Sequence, residues 1–349
     1  MTGLAERVDR RNVETGLAVF MPNYNHGRFL PEALDALLAQ SLRPKTIYIV
    51  DDASTDGSHD VIESYLRRYP DIIKAEFLKE HRGLVANVTR WLASSDDEFI
   101  LFAAADDKAA PGLLEKSISL LRRFPNAGFC SAGSRLIDEQ GHDLGRFRNR
   151  WPLAEPGMIP PHCVRALLMA ADGWFMGNTT VYRGSALRSV GFVSDLGAFA
   201  DGFTCRVLAL RYGACFIPED LSGWRRMPSG IASQSIRVPA QVHSIIACAM
   251  ALMTGPFASD FPAEYARRWR QRWLFAALIS AYARSTVTTD KTLREILAPL
   301  ALPDRLVLWA LRLLPYKLAG LAAFLWLRPF DIPMAVRDAV RSWGKMMFK

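Results

Sequence analysis

Apolar positions in the first third of the chain alternate between short continuous runs and helical spacing. Leu17 to Met21 is an apolar run closed by Pro22-Asn23. From Phe29 onward, Leu30, Ala33, Leu34, Leu37 and Leu38 share one helical face. The unit then repeats. Thr46 to Val50 predicts a strand, Asp51 to Gly57 a turn-rich loop, and Val61, Ile62, Tyr65 and Leu66 the inward side of a helix. A third strand is expected over Ile72 to Leu78, a helix over Leu84 to Leu92, and a buried strand over Phe99 to Phe102. Pro111 is expected at the first position of another helix, with Leu114, Ile118 and Leu121 facing inward.

Strands alternating with helices predict an α/β domain with a parallel sheet, whose ligands bind beyond the carboxyl ends of the strands. Chemistry is therefore sought in the loops 22–28, 51–57 and 103–110. Between Arg135 and Pro161 the periodicity fades and Gly, Pro, Arg and Trp accumulate, predicting a long loop or β-excursion. A strand is expected again over Asn178 to Tyr182, a helix over Asp201 to Tyr212, and a short strand over Cys215 to Ile217. Helices alone are expected beyond Pro239.

Composition changes this picture in two places. The chain has 349 residues, half of them hydrophobic, which suits a folded protein of one large domain with an appendage, or of two domains. Its formal charge is +8, and Asp304 to Lys349 holds eight basic residues against three acidic ones. There the charges alternate with Trp309, Leu313, Leu314, Phe324, Leu325, Trp326 and Phe330, a mixture that favours a membrane surface over nucleic acid. The run Leu306 to Leu327 is broken by Arg312, Pro315 and Lys317, so it is expected to lie on a bilayer rather than cross one. Tyr265 to Trp273 is expected to add an amphipathic basic helix. Five scattered cysteines without metal-ligand spacing are expected to be buried thiols of a reducing compartment. The polar N-terminus carries no secretory pattern, which leads to an expectation of cytoplasmic residence.

Three loops carry candidate chemistry: Pro22-Asn23-Tyr24-Asn25, Val50 to Gly57, and Phe102 to Lys108. A carboxylate at a strand's end, such as Asp52, can accept hydrogen bonds from a nucleobase or ribose; a capped turn is the plainer alternative. Asp106 and Asp107 can hold a divalent cation, since Mg²⁺ or Mn²⁺ on a diphosphate needs only one or two protein carboxylates. A capped helix start is the alternative there.

In order along the chain, PNYN, VDDASTDGS, HRGLVANV and FAAADDKAAPGLLEK make it resemble glycosyltransferase family 2 over Leu17 to Ser233. That resemblance implies a GT-A fold, a Rossmann-like nucleotide-binding domain followed here by a C-terminal helical region. Residues 16–235 would form the transferase domain, with a sugar-nucleotide half at 16–133 and an acceptor half at 134–235. Residues 1–15 would be an extension, and 236–349 a basic helical region meeting the membrane. The implied activity is inverting transfer of a sugar from a nucleotide-diphosphate donor, a UDP- or other NDP-sugar, to a hydroxyl of a glycan or lipid-linked acceptor in cell-surface polysaccharide synthesis. The partners are then that donor, that acceptor and the cytoplasmic face of the membrane, with no nucleic acid. The cofactor is a divalent cation, Mn²⁺ or Mg²⁺.

By the same resemblance Pro22, Asn23, Tyr24, Asp52, Gly83, Asn87, Ala105 and Asp106 bind the donor, and Asp106 ligates the metal. Gly177 and Asn178 would serve the acceptor side and Asp201 would be the base, a plain helix cap being its alternative; Trp174 and Trp224 are candidates for stacking on the acceptor's sugar rings because aromatic faces suit apolar sugar surfaces, with simple packing as the alternative. Two positions depart from the family pattern: Ala104 stands at the first acid of its Asp-x-Asp motif, and Ala200 where an acid more often precedes the base. Arg225 and Arg226 are candidates for offsetting diphosphate charge. A nucleotidyltransferase lacks its Gly-rich opening loop here, a dehydrogenase its GxGxxG, and a non-catalytic scaffold on the same fold is the remaining alternative.

Overall fold

The predicted apolar runs lie side by side in one ten-stranded mixed sheet, seen in a computed structural model that describes residues 16–147, 149–227, 238–282, 314 and 316–332. Strands β1 (Leu17–Asn23), β2 (Thr46–Asp51), β3 (Ile73–Phe77) and β4 (Phe99–Phe102) are joined by helices α1 (Leu30–Leu38), α2 (Ser58–Arg68) and α3 (Leu84–Ser94). β1 pairs in parallel with both β2 and β4, and β2 with β3. The inward face of α1 is the one its spacing predicts: Leu30, Ala33, Leu34, Leu37 and Leu38 are buried against Leu17, Val19, Met21, Ile47 and Ile49. At about 1.5–3 kcal/mol for each large side chain fully buried, this layer supplies much of the driving force for the domain.

Next come β5 (Lys108–Ala109), α4 (Leu113–Arg123), β6 (Phe129–Ile137), β7 (Asp143–Arg146), β8 (Gly157–Ile159) and α5 (Pro161–Ala170). A 3-10 turn (Gly177–Thr179), β9 (Val181–Arg183), α6 (Gly184–Val190), α7 (Ala200–Tyr212) and β10 (Ala214–Arg225) complete the sheet and its cover. The sheet order is β3-β2-β1-β4-β9-β6-β10-β5, with β7 beside β6 and β8 beside β10. β9 runs antiparallel to β4 and β6. Its N-terminal end therefore lies on the same sheet edge as the C-terminal ends of β1, β2 and β4.

Several expectations are corrected. Phe129–Ile137 is a nine-residue strand in the middle of the sheet, although Ser131, Gly133 and Ser134 dilute its apolar run. The helix expected from Pro111 starts at Leu113, because Gly112 intervenes in the left-handed conformation at φ 85°. The strand expected from Asn178 is a 3-10 turn up to Thr179. Its threonines turn back on the preceding backbone, Thr180 Oγ1 donating to the Met176 carbonyl at 2.7 Å. β10 is four times its expected length and breaks register around Asp220, just after Pro218, which has no N–H to give the ladder. Among the cysteines, Cys130, Cys205 and Cys215 are buried as expected, whereas Cys163 is exposed and Cys248 half-buried.

The described residues divide into two compact units. The first holds the sheet, over 16–165, 173–194 and 200–227; the second holds 166–172, 195–199 and the described residues beyond 227. Within the second are α8 (Pro239–Thr254), α9 (Ala263–Tyr282) and α10 (Tyr316–Leu327). The amphipathic basic helix expected over Tyr265 to Trp273 is turned inward. Tyr265 and Trp269 are buried, and Arg272 donates to the Leu168 and Met169 carbonyls at 3.0 and 2.7 Å and pairs with buried Asp331 at 2.8 Å. Of its arginines, Arg267 and Arg270 remain exposed. Burial opposes ionisation of Asp331, and the hydrogen bonds and charges of Arg272 and Arg328 overcome it and hold the carboxyl below its ordinary value. Among the described residues no helix is long and apolar enough to cross a membrane. The 1–15 extension and most of the tail from Asp304 lie outside the described residues.

Candidate functional site

The loops leaving β1 and β2 are fastened to each other. Asn23, the last residue of β1, donates from Nδ2 to Asp51 Oδ1 at 2.7 Å and to Ser54 Oγ at 3.2 Å. Asn25 takes φ 57° and accepts from the Thr55 amide at 2.8 Å. Asp56 accepts from the Gly27 and Ser58 amides, both at 2.9 Å. Burial would raise the Asp56 pKa, but these bonds and the Ser58 hydroxyl outweigh it and hold the carboxyl below its ordinary value. Asp51, Ser54 and Asp56 are thus the frame of the loop, and Asn23 is part of that frame.

Asp52 reaches from β2 to the start of α3, where its two oxygens accept from the Arg82 and Gly83 amides, each at 2.8 Å. Gly83 has φ 87°, a conformation that favours glycine, so both amides can turn toward the one carboxylate. His81 Nδ1 lies 3.0 Å from Asp52 Oδ2, and the His81 ring packs on Tyr24 with centroids 4.2 Å apart. Asp52 is buried while Tyr24 is 44% exposed, so what the three loops present outward is the aromatic pair rather than the acid. Pro22 is half-buried in β1, beside Val50 of β2. Asn87, one turn into α3, is buried with both amide atoms unpartnered. An unpaired buried polar group costs about 1–3 kcal/mol, which a bound ligand relieves.

On the other side of β1, the loop after β4 carries Ala105, buried, and then Asp106 and Asp107, whose surroundings differ. Asp107 accepts from the Arg225 amide at 2.8 Å and from Asn178 Nδ2 at 2.9 Å. Burial, with the neighbouring Asp106 charge adding to it, pushes Asp107 well above the usual carboxylate range. No described residue bonds the carboxylate of Asp106; its backbone carbonyl accepts from Arg225 Nε at 2.7 Å.

Arg225 is the hub of this loop. Its guanidinium is buried, donates to the Asp138 and Glu139 carbonyls at 2.8 and 3.0 Å, pairs with Glu32, and lies 4.7 Å from the Phe29 ring centroid. With every guanidinium nitrogen engaged, it is not available to a diphosphate, which corrects the expectation for that residue; Arg226 is exposed. Spacing gave no signal of the hub, because three of its four partners are backbone carbonyls and the fourth, Glu32, is remote in sequence.

Asn178 bridges Asp107 and Ser222 Oγ, the latter at 3.0 Å, and its own Oδ1 is buried without a partner. The residue before it, Gly177, packs directly on Asp201: a Cβ added there would stand 2.4 Å from Asp201 Oδ2. Asp201 lies in the first turn of α7. Burial raises its pKa, partly offset by the Gly202 amide and the Arg206 charge. One 3-10 turn thus has Asp201 at one residue and Asp107 at the next. Gly177→Ala is expected to displace the Asp201 carboxylate, lowering kcat about 10- to 100-fold with donor affinity unchanged. Steady-state kinetics beside donor titration checks this.

Trp174 does not serve an acceptor by stacking. It is fully buried, lying nearly parallel to Phe129 with centroids 6.0 Å apart and edge-on to Phe175 and Phe216. Trp224 is half-buried against Phe147. Among the described residues no group of three His, Cys, Asp or Glu side chains could hold a metal, so a cation here would rest on Asp106 and on ligands brought with the donor.

Loops from parallel strands meet at one sheet edge, with acids on both sides of a 3-10 turn, and this is the edge at which open α/β sheets bind their ligands. Residues 18–158 match the family Glycosyl transferase family 2, and the domain has the GT-A fold. The putative glycosyltransferase EpsE of Bacillus subtilis is 29% identical over 161 residues, 45% of this chain and 57% of that protein. The chain spans about half the length of the curated relatives it matches. Two solved structures share the fold. Residues 1–349 of S. aureus TarS in complex with UDP-GlcNAc superpose with TM-score 0.60 at 16% identity, covering 91% of this chain and 88% of that one. The mannosyltransferase PcManGT of Pyrobaculum calidifontis, in complex with GDP-Man and Mn2+, gives 0.52 at 23%, covering 89% and 87%.

Proposed function

We propose that the protein is an inverting glycosyltransferase that moves a sugar from a nucleotide diphosphate to a hydroxyl of a glycan or lipid-linked glycan in cell-surface polysaccharide synthesis. The observation that carries this reading is the 3-10 turn Gly177–Thr179, with Asp201 against Gly177 and Asp107 bonded to Asn178. A base against one residue of this turn, with the loop that carries the cation-holding Asp106 tied to the next, suits attack on an anomeric carbon from the face opposite the leaving diphosphate. Asp201, with its pKa raised by burial, takes the proton of the acceptor hydroxyl. Asp106 has its carboxylate open, so it holds the divalent cation, whose chemistry is to offset charge on the departing diphosphate. Ala104 adds no second acid, which makes the donor's phosphates the larger part of the ligand set. The bound Mn2+ and nucleotide sugar of PcManGT, which shares the fold, support that assignment.

The test is release of nucleotide diphosphate from a panel of sugar nucleotides with a lipid-linked acceptor, for the native chain and for Asp201→Asn. Release dependent on Mn²⁺ or Mg²⁺ and abolished by the substitution supports the proposal. Donor binding without turnover on any acceptor of the panel overturns it in favour of a scaffold.

For the membrane part of the proposal, the support moves from α9 to α10. Leu318, Leu321 and Leu325 are 52%, 55% and 49% exposed and form one stripe at helical spacing. The opposite face, Ala319, Ala323 and Leu327, is buried. With a chain charge of +8, that stripe suits an anionic bilayer on the cytoplasmic side. Replacing the three leucines by serine is expected to lower the fraction pelleting with phosphatidylglycerol vesicles about tenfold, and unchanged pelleting overturns this part.

A further inference from the structure

Resting on the reading of Asp201 as the base, we infer that Arg206 is a positioning residue for the transfer: it fixes the Asp201 carboxylate through the Gly202 peptide and sets a permanent positive charge near it. Asp201 and Arg206 lie in the first two turns of α7, where residues 203–209 are buried. The Gly202 amide donates to Asp201 Oδ1 at 2.5 Å, and the Gly202 carbonyl accepts from Arg206 Nη1 at 2.7 Å. One residue thus holds the carboxylate on its N–H and the guanidinium on its C=O. Residues four apart share a helix face, and Gly202 offers no side chain there, so the arginine folds back over the turn that carries the base.

The guanidinium is also fixed against the segment that leads into the 3-10 turn. Its central carbon lies 5.0 Å from the ring centroid of Phe175, which is edge-on to Phe129 of β6 and to Trp174. Phe175 stands two residues before Gly177, the residue packed on Asp201. Arg206 therefore ties both walls of the base's surroundings, the start of α7 and the approach to the turn. It is 4% exposed, where a charge is costly without a countercharge, and the Asp201 carboxylate one turn earlier offsets it. Two more titratable groups face Asp201: Tyr182 of β9 and Cys205 of α7, in contact with each other at 3.3 Å. Burial raises Tyr182 well above its ordinary value and Cys205 to about 12, so both are neutral at physiological pH. Ala200 brings no carboxylate to compete for the guanidinium. Burial alone would keep a carboxyl at this place protonated, and the Arg206 charge opposes it, so the arginine serves both the aim of the base and its ionisation.

The pH profile of kcat/KM for nucleotide diphosphate release tests the inference, with the sugar nucleotide that the native chain turns over fastest, for the native chain, Arg206→Gln and Arg206→Lys. The glutamine keeps a donor for the Gly202 carbonyl and loses the charge. Its acid limb is expected about one pH unit above the native one, so release below the limb falls about tenfold, while the plateau above it stays within about threefold. Calorimetric affinity for the matching nucleotide diphosphate with Mn²⁺ is expected to be unchanged. The lysine restores the charge, and its limb is expected within about 0.3 unit of the native one, with a lower plateau because one ammonium replaces the guanidinium fork. A purely structural role would lower the stability of both variants and leave the limb in place, and that result overturns the inference. A limb displaced as far by lysine as by glutamine overturns it too, and a lysine limb displaced by a full unit does so even if the glutamine variant fails to fold. These outcomes leave the transferase reading standing; that reading fails instead if the native chain releases nucleotide from no donor of the panel, or if Asp201→Asn releases it at the native rate.

Discussion

Asp201→Asn is expected to lower kcat by about 10²- to 10⁴-fold, the usual worth of a positioned general base, while making the protein more heat-stable at neutral pH. The second effect follows from the sign of the pKa shift. Burial raises the Asp201 pKa, so the fold favours the protonated carboxyl. That stability is fully present below the ordinary aspartate value of about 3.9 and is lost as pH rises through the raised folded value. The carboxamide that replaces the carboxyl in the variant is neutral at every pH and keeps an oxygen for the Gly202 amide, so it avoids the loss. Thermal melts of the two proteins are therefore expected to converge near pH 4 and separate toward pH 8, with the variant above. Because the base must be ionised to act, the acid limb of kcat/KM is expected at a higher pH than an ordinary aspartate would give. A variant that is inactive but no more stable at pH 8 than the native chain would mean that Asp201 is not held in the buried, pKa-raised state.

The second large effect is on stability. Arg225→Leu is expected to destabilise the protein by about 3–5 kcal/mol, a substantial part of the roughly 5–15 kcal/mol that holds a typical domain folded. The leucine fills part of the volume against Phe29, but it leaves the Asp106, Asp138 and Glu139 carbonyls and the Glu32 carboxylate without their donor. Arg225→Lys retains the charge yet presents one point donor where the guanidinium serves four oxygens, so it is expected to recover only part of the loss. Chemical denaturation with matched m-values measures both. The Asp106 loop is tied down by the same guanidinium, so the lysine variant is also expected to need more Mn²⁺ for half-maximal activity. A stability change below about 1 kcal/mol for Arg225→Leu would show that the hub is not coupled to folding.

The order and period of the early elements were legible in the sequence. Continuous apolar runs at Leu17, Thr46 and Phe99 became parallel strands, and the 3.6-residue spacing of Leu30 to Leu38 became the buried face of α1. Both signals depend on near neighbours, so a single chain reveals them. The motif order was legible for the same reason, and it led to the family that residues 18–158 match. β6 was hidden, because a strand buried in mid-sheet can be built from serine and glycine when neighbouring elements satisfy them: Ser131 Oγ meets Thr179 Oγ1 at 3.2 Å.

Only the tertiary structure decided the fate of individual side chains. Composition cannot tell a tryptophan that stacks on a sugar from one packed between Phe129 and Phe216, nor an arginine that offsets phosphate from one consumed by carbonyls. Likewise Asp52 and Asp106 are both acids just beyond buried strands, yet one is held by two backbone amides and the other has an open carboxylate. The sequence by itself determined which of the early strands form, in what order, and which loops crowd the sheet's edge, since those follow from local periodicity and chain connectivity. Which oxygen is free, which ring faces outward and which acid lies against Gly177 depended on residues distant in sequence arriving at the same place, and spacing along a chain carries no record of that.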